Sequence, residues 1–386
     1  MADMAERIYL DWNATTPLRP EAKAAMAKAW EVGGNPSSVH AEGRQARRLM
    51  EEARAAVAAS VGADAANVIF TSGGTEANSL ALTPGLKRGK GPAAERLLTS
   101  AIEHASVLSG GRFSAEAVGR IGVTRDGIID LDRLRALLDG PPALVSIMLA
   151  NNETGAIQPV AEAAQIIQAA GGLLHVDAIQ ALGKIPFDLT STGADLLSLS
   201  AHKIGGPKGV GALVLAEGIE GLAPLLRGGG QEKGRRAGTE DVTGIAGFGA
   251  AAKAAVACRE RDASRTESLR VRLEAGLRQA PGVVVFGQEV ERLPNTVLFA
   301  VPGMRAETAV IGFDLAGIAV SSGSACSSGK VQPSHVVEAM GYGRELAQGA
   351  VRLSLGWSTV EADIDLALQA WLKLANTLLR EQRNTA

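Results

Sequence analysis

Leu173-Leu-His-Val-Asp-Ala-Ile-Gln180 and Leu196-Leu-Ser-Leu-Ser-Ala-His-Lys203 are two short apolar runs that each end in polar chemistry. The first delivers a carboxylate and an amide, the second a serine, a histidine and a lysine. Further apolar runs at 68–71, 96–99, 143–149 and 211–215 read as strands, and most are separated by Ala-rich stretches of helical period such as 160–170. That βαβ rhythm predicts a mostly parallel, doubly wound α/β sheet. Neighbouring strands of such a sheet carry their carboxyl ends to one rim, where ligands bind.

At 386 residues, with 46% apolar residues, the chain has material for one large domain and one smaller one. The pattern changes near residue 259, where a long charged helix over 260–279 leads to strands at 283–286, 296–301 and 351–355, a helix near 306–315 and a terminal helix. We therefore expect a large ligand-binding domain over 15–258 and a small α+β domain over 259–386, with residues 1–14 packing on the latter. Few aromatics and a net charge of −2 leave no stacking surface or basic footprint for nucleic acid. Two cysteines, Cys258 and Cys326, make no disulfide framework. No apolar run approaches the roughly 18 residues of a membrane span, so a cytoplasmic protein is expected.

A lysine and an aspartate converging at a sheet rim suit pyridoxal phosphate, whose aldehyde reacts with an amine and whose ring nitrogen takes a negative partner. Hydride carriers and metals need neither. Thr71-Ser-Gly-Gly-Thr-Glu-Ala-Asn78 follows a strand and opens a helix, so free N–H groups and the Thr75 hydroxyl are placed to hold a phosphate. It is not a P-loop, since no Gly-Lys-Ser/Thr follows. Gly247-Phe-Gly-Ala lacks a preceding strand and reads as helix packing. Taken singly, Lys203 is equally a solvated lysine, Asp177 a helix cap, His104 a satisfied loop histidine and Arg352 a surface salt bridge. Their joint order is what carries the reading.

The two cysteines differ in context. Cys258 lies in an Ala-rich helix and reads as a small buried hydrophobe. Cys326 sits in Ser321-Ser-Gly-Ser-Ala-Cys-Ser-Ser-Gly329, too polar and Gly-rich for core, where an accessible sulfur suits a nucleophile or sulfur carrier. Arg352, on a short strand, is suited to clamp a carboxylate. The five histidines, at 40, 104, 175, 202 and 335, show no metal-ligand spacing.

From Tyr9-Leu-Asp-Trp-Asn-Ala-Thr-Thr-Pro17 to Arg352-Leu-Ser-Leu-Gly356, the chain resembles the cysteine desulfurases of the NifS/IscS type, pyridoxal-phosphate enzymes of the class V aminotransferase group. Gly34-Asn-Pro-Ser-Ser38, Glu103-His104, Asn151-Asn-Glu-Thr-Gly155 and Arg236-Ala-Gly-Thr239 carry the likeness together with the stretches above. The resemblance implies fold type I, with a seven-stranded-type sheet flanked by helices. It implies that Lys203 forms the Schiff base, Asp177 pairs with the ring nitrogen, His104 stacks on the ring and Gln180 contacts its phenolic oxygen. Gly74, Thr75, Ser200 and His202 would hold the phosphate, joined by Thr239 from the second subunit of a homodimer. Asn152 and Arg352 would bind the carboxylate of L-cysteine, and Asn152 would also touch the cofactor.

Cys326 would take the substrate's sulfur as a persulfide, release alanine, and pass the sulfur to an iron–sulfur scaffold or another acceptor protein. A transient role of Cys326 as an iron–sulfur ligand is part of the same expectation. The alternatives are a selenocysteine lyase or another class V aminotransferase, which share Lys203 and Asp177 without requiring Cys326, and a non-enzymatic sulfur carrier. Ala201 and Gly205 depart from the commonest family pattern beside an intact Ser-x-His-Lys. Residues 380–386 lack the apolar tail of housekeeping members, which leaves a general and a nitrogen-fixation acceptor equally open.

Overall fold

A computed structural model describes residues 7–323 and 332–385. Its main sheet has seven strands: Val68–Thr71 (β1), Arg96–Ser100 (β2), Val118–Ile121 (β3), Ala143–Met148 (β4), Leu173–Asp177 (β5), Leu196–Ser200 (β6) and Gly211–Leu215 (β7). Their order is β1-β7-β6-β5-β4-β2-β3. Strand β7 runs antiparallel to β1 and β6, and the other pairings are parallel. Every residue of β4, β5 and β6 is buried, because helices cover both faces, and this is why these strands read as continuous apolar runs rather than alternating ones.

Strand β3 was absent from the expected runs. It lies at the sheet edge, and Gly119 and Arg120 interrupt its apolar pattern. The Arg120 guanidinium reaches back to Thr99 Oγ1 and the Leu108 carbonyl, both at 2.6 Å, so a charged side chain sits on the open edge.

Three helices pack together behind the sheet: Pro20–Trp30 (α1), Ala41–Ser60 (α2) and the 36-residue Val242–Leu277 (α4), while Gly74–Ala81 (α3) follows β1 directly. The long helix corrects the expected 260–279 segment, beginning eighteen positions earlier, where Asp241 caps it by accepting from the Gly244 N–H at 2.9 Å. Its first half, through Phe248, Ala251 and Ala255, belongs to the sheet core, and its second half, through Leu269, Leu273 and Leu277, belongs to another. The second core is built on a four-stranded antiparallel sheet, Val284–Val285 (β8), Thr296–Ala300 (β9), Ser321–Ser322 (β10) and Val351–Ser354 (β11), in the order β8-β9-β11-β10. The terminal helix Glu361–Thr385 (α5) closes it, with Trp371 between Phe299 and Phe313. One helix thus continues unbroken through the chain's change of pattern, its first half facing one core and its second half the other.

The N-terminal segment also joins the second core. Ile8 and Tyr9 pair in parallel with Ile318 and Ala319, and Asp11 bridges to Ser354. Gly247 and Gly249 lie inside α4, where their missing side chains admit α1 and α2. A Cβ on Gly249 would stand 2.6 Å from Ala53 Cα. Gly249→Val should therefore lower stability by about 1–3 kcal/mol through overpacking, read as a reduced urea midpoint with unchanged far-ultraviolet circular dichroism.

Candidate active site

Strands β5 and β6 pair in parallel with Asp177 opposite Ser198, so the residues that follow each strand emerge at the same rim. Strand β6 runs directly into a 3₁₀ turn, Ala201–Lys203, which turns the lysine back over the sheet. A cavity of about 290 Å³ opens there. It is lined by Gly74, Thr75, His104, Asn152, Asp177, Gln180, Ser200, His202, Lys203 and Arg352, together with Asn13, Ala14, Ser106, Met148, Ala150 and Ile179. Of the described residues given a cofactor, substrate or catalytic role in the sequence, Thr239 is not part of this wall. Thr239 is exposed, three residues beyond Arg236, which bonds Glu76 of α3 at 3.0 Å. Cys326 lies outside the described residues, within 324–331; on either side Gly323 is tied to the Ala350 carbonyl and Ser334 to that of Ala347.

One end of the cavity suits a phosphate. The N-terminus of α3 presents Gly74 and Thr75, and the Ser200 hydroxyl opposite is buried with no hydrogen-bond partner. A Cβ on Gly74 would fall 2.3 Å from Ile179 Cδ1, so glycine keeps the helix start close against the β5 loop. His202 contacts Thr15 Oγ1 at 3.2 Å, and burial, with the charges of Lys203 and Lys208, pushes its imidazole down to about 4. It is neutral at physiological pH and presents a ring that can still donate one N–H.

Asp177 also lines the cavity. Its carboxylate accepts from Asn78 Nδ2 at 2.8 Å and from the Ile179 N–H at 3.0 Å. Burial raises its pKa, against the pull of those donors and of His104 and Lys203, so a cation placed beside it would be strongly favoured. A protonated ring nitrogen meets that requirement. Glu103, one residue before His104, is buried with its pKa raised well above the usual carboxylate range by burial; its Oε1 accepts from the Met148 N–H at 2.8 Å. His104 caps the short helix Ala105–Leu108, its ring nitrogen meeting Ser106 Oγ at 2.8 Å and the Ser106 N–H at 3.1 Å.

Lys203 Nζ donates to the carbonyls of Asn13 at 2.5 Å and Ala14 at 2.9 Å. Gln180 Nε2 donates to the same Asn13 carbonyl at 2.9 Å. Arg352 enters from β11 with its side chain almost wholly buried. It donates to the Asn152 carbonyl at 3.0 Å and pairs with Asp11 Oδ1 at 2.8 Å, while its Nε has no partner. The ion pair considered for it in the sequence exists, but in the interior, where it aims the guanidinium at the cavity. Cys258 is half-buried rather than buried. The donor set as a whole, an amine, a buried carboxylate and an unpartnered hydroxyl beside a helix N-terminus, fits the aldehyde, ring nitrogen and phosphate of pyridoxal phosphate.

Sequence reasoning did not single out Asn13, Asn78 or Lys184. Asn13 lies within the quoted N-terminal motif, but its role needs the β9 and β11 neighbours it bonds. Among the described residues no group of three or more His, Cys, Asp or Glu side chains is placed to hold a metal, and no helix is long and apolar enough to cross a membrane.

The profile of the aminotransferase class-V family matches residues 8–367. A cysteine desulfurase of Cereibacter sphaeroides is 47% identical over 371 residues, covering 94% of each chain. The cysteine desulfurase IscS of Dictyoglomus turgidum is 39% identical over 380 residues, covering 97% of this chain and 96% of its own. Among solved structures, a NifS-like protein from Rickettsia africae superposes with a TM-score of 0.87 at 35% identity, over 96% of this chain and all of the other.

Two imidazoles make the folded chain sensitive to acid. His175 is buried between Ser146 Oγ and Ser198 Oγ, and burial pushes it down to about 3. The unfolded chain takes up a proton there as pH falls through about 6.5, whereas the folded chain refuses it until about 3. The stability is thus fully present above 6.5 and declines below it, at up to about 1.4 kcal/mol per pH unit for this group. Urea melts between pH 7.5 and 5 should show this decline, with His202 adding to it, and His175→Gln should flatten the slope.

Proposed function

The chain belongs to the cysteine desulfurases of the class-V aminotransferase family, and from that premise we propose that it converts L-cysteine to L-alanine and passes the sulfur on as an enzyme persulfide. The observation that carries the reading is the convergence of Lys203, Asp177, unpartnered Ser200 and buried Arg352 on one cavity. Bound pyridoxal phosphate would supply an aldehyde for amines and a ring that stabilises negative charge at the substrate's reacting carbons. Lys203 would carry the cofactor and move the proton at the substrate α carbon, and Asp177 would hold the ring nitrogen in its protonated form. Gly74, Thr75, Ser200 and His202 would hold the phosphate, and Gln180 and His104 would position the ring.

Arg352 would take the substrate carboxylate on the guanidinium face that Asp11 and Asn152 leave to the cavity. Cys326 would attack the substrate sulfur. The new S–S bond forms as the substrate's Cβ–S bond breaks, the electron pair stays on the three-carbon fragment, and a proton taken up there completes alanine. The acceptor would be an iron–sulfur scaffold or another sulfur-accepting protein. A homodimer is supported by the exposure of Thr239, which is available to a neighbouring copy's phosphate. A thiol that must return to its reduced form after each turnover fits a cytoplasmic setting.

Cys326→Ala separates cofactor chemistry from sulfur transfer. The variant should bind pyridoxal phosphate and change its visible spectrum on adding L-cysteine, while alanine formation drops at least about a hundredfold, ~2.7 kcal/mol of barrier. Near-normal alanine formation would place the chain with the selenocysteine-lyase-like enzymes instead. For Arg352→Lys, the loss of a bidentate charged contact, about 1.5–3 kcal/mol, should raise the KM for L-cysteine by about 10- to 150-fold in steady-state assays.

A further inference from the structure

Lys184, four residues after Gln180, is a half-buried lysine that the reaction just described does not use. Its Nζ donates to Asn13 Oδ1 at 3.1 Å and to Gln180 Oε1 at 2.7 Å. The Asn13 carbonyl in turn accepts from both Lys203 Nζ and Gln180 Nε2. Asn13, Lys184 and Gln180 therefore form a closed ring of hydrogen bonds, and Lys203 is tied to it through the Asn13 carbonyl. Asn13 spends its remaining polar atoms on Thr296 Oγ1, the Asn152 carbonyl, Asn295 and Ser354 Oγ, so it is a fully committed hub.

Two consequences follow from this wiring. Lys184 Nζ donates to the amide oxygens of Asn13 and Gln180, and the Gln180 amide nitrogen is left to face the Asn13 carbonyl. The orientation of both amides, and the carbonyl that holds Lys203, are thus set from behind by one amine. Moreover, a half-buried lysine with no carboxylate acting on it is costly where an apolar side chain would fill the space. Desolvation pushes its amine well below the usual lysine range, and the charged groups that act on it, Lys203 and Arg352, both of like sign, add to that effect. Behind it, across a small cavity of about 50 Å³, lie Arg19 and Asp262, paired with each other at 3.5 Å. Because the repulsion between two amines is mutual, whatever charge Lys184 carries also opposes a proton on Lys203.

We propose that Lys184 is a positioning residue that acts through Asn13 and Gln180 to hold the Lys203 amine in place and weaken its grip on a proton. The inference rests on Lys203 as the residue that bears the cofactor. The test is a spectrophotometric pH titration of the visible band of the bound cofactor in the holoenzyme. Lys184→Met should move the midpoint upward by about one pH unit, a tenfold gain in proton affinity. Lys184→Arg, which keeps a charge and donors, should leave it at or below the wild-type value. An unmoved midpoint in folded Lys184→Met, or the same upward shift in both variants, overturns the proposal. Should Lys184→Met not fold, Lys184→Gln carries its expectation, since it keeps a donor without the charge. Borohydride fixation and peptide mapping of the wild type distinguish the two levels of failure. Label on a lysine other than 203 refutes the cofactor assignment, whereas label on Lys203 with an unmoved midpoint refutes only the role of Lys184.

Discussion

The parallel register between β5 and β6 is the constraint on which the rest of this site depends. Setting Asp177 opposite Ser198 brings the acidic end of one strand and the Ser-Ala-His-Lys turn of the next to the same rim. A shift of one residue would exchange the two faces of the strand and bury Asp177 or Ser200 among the helices. The register is held by what lies further down the strands: Leu174, Val176, Leu197 and Leu199 face one core, while His175 hydrogen-bonds across both neighbours through Ser146 and Ser198. A polar cross-link in the middle of an apolar sheet is satisfied in one alignment only, so it selects that alignment as much as it stabilises it.

Above that rim the dominant effect is desolvation. His175, His202, Glu103 and Lys184 are all pushed toward their neutral forms by burial, and Asp177 is pushed the same way against the donors that surround it. The charges that the cavity retains are those with a partner or a task. Arg352 is paired with Asp11, and Asp177 faces the cavity. In such a setting a substrate carboxylate or a cationic ring nitrogen meets few competing charges and little water, so each surviving charge acts at nearly full strength.

Among the elements that link the sheet core to the second core, the N-terminal stretch also lines the site through Asn13 and Ala14. The helix Val242–Leu277 serves both cores, and its early glycines let α1 and α2 press against it. The N-terminal stretch pairs with Ile318–Ala319 and then delivers Asp11 to Arg352 and Asn13 to Lys203. Arg352 on β11, proposed to take the substrate carboxylate, and Lys203 after β6, proposed to carry the cofactor, are thus coupled through a dozen residues at the chain's start. A change in how the second core sits would be felt at the Lys203 amine through Asn13.

Much of this was legible in the sequence because it is local. Continuous apolar runs separated by helical periods imply a covered parallel sheet, and a strand followed by Thr-Ser-Gly-Gly-Thr implies a helix start open to a phosphate, since both depend on neighbours along the chain. The same holds for Lys203 and Asp177, whose roles follow from ending adjacent strands. Strand β3 escaped notice because an edge strand need not be apolar, and the true start of the long helix did so because its alanines and glycines serve tertiary packing rather than an amphipathic stripe. Asn13, Asn78 and Lys184 had no signal at all. An asparagine or lysine is placed by what it bonds, and apart from Gln180, four residues before Lys184, their partners lie tens to hundreds of residues away, at Asp177, Asn295 or Lys203. The sequence by itself determined which chemical groups arrive at the rim, because that is set by strand ends. Only the tertiary structure decided which of them are buried, paired and held neutral, because desolvation depends on the whole surroundings of an atom.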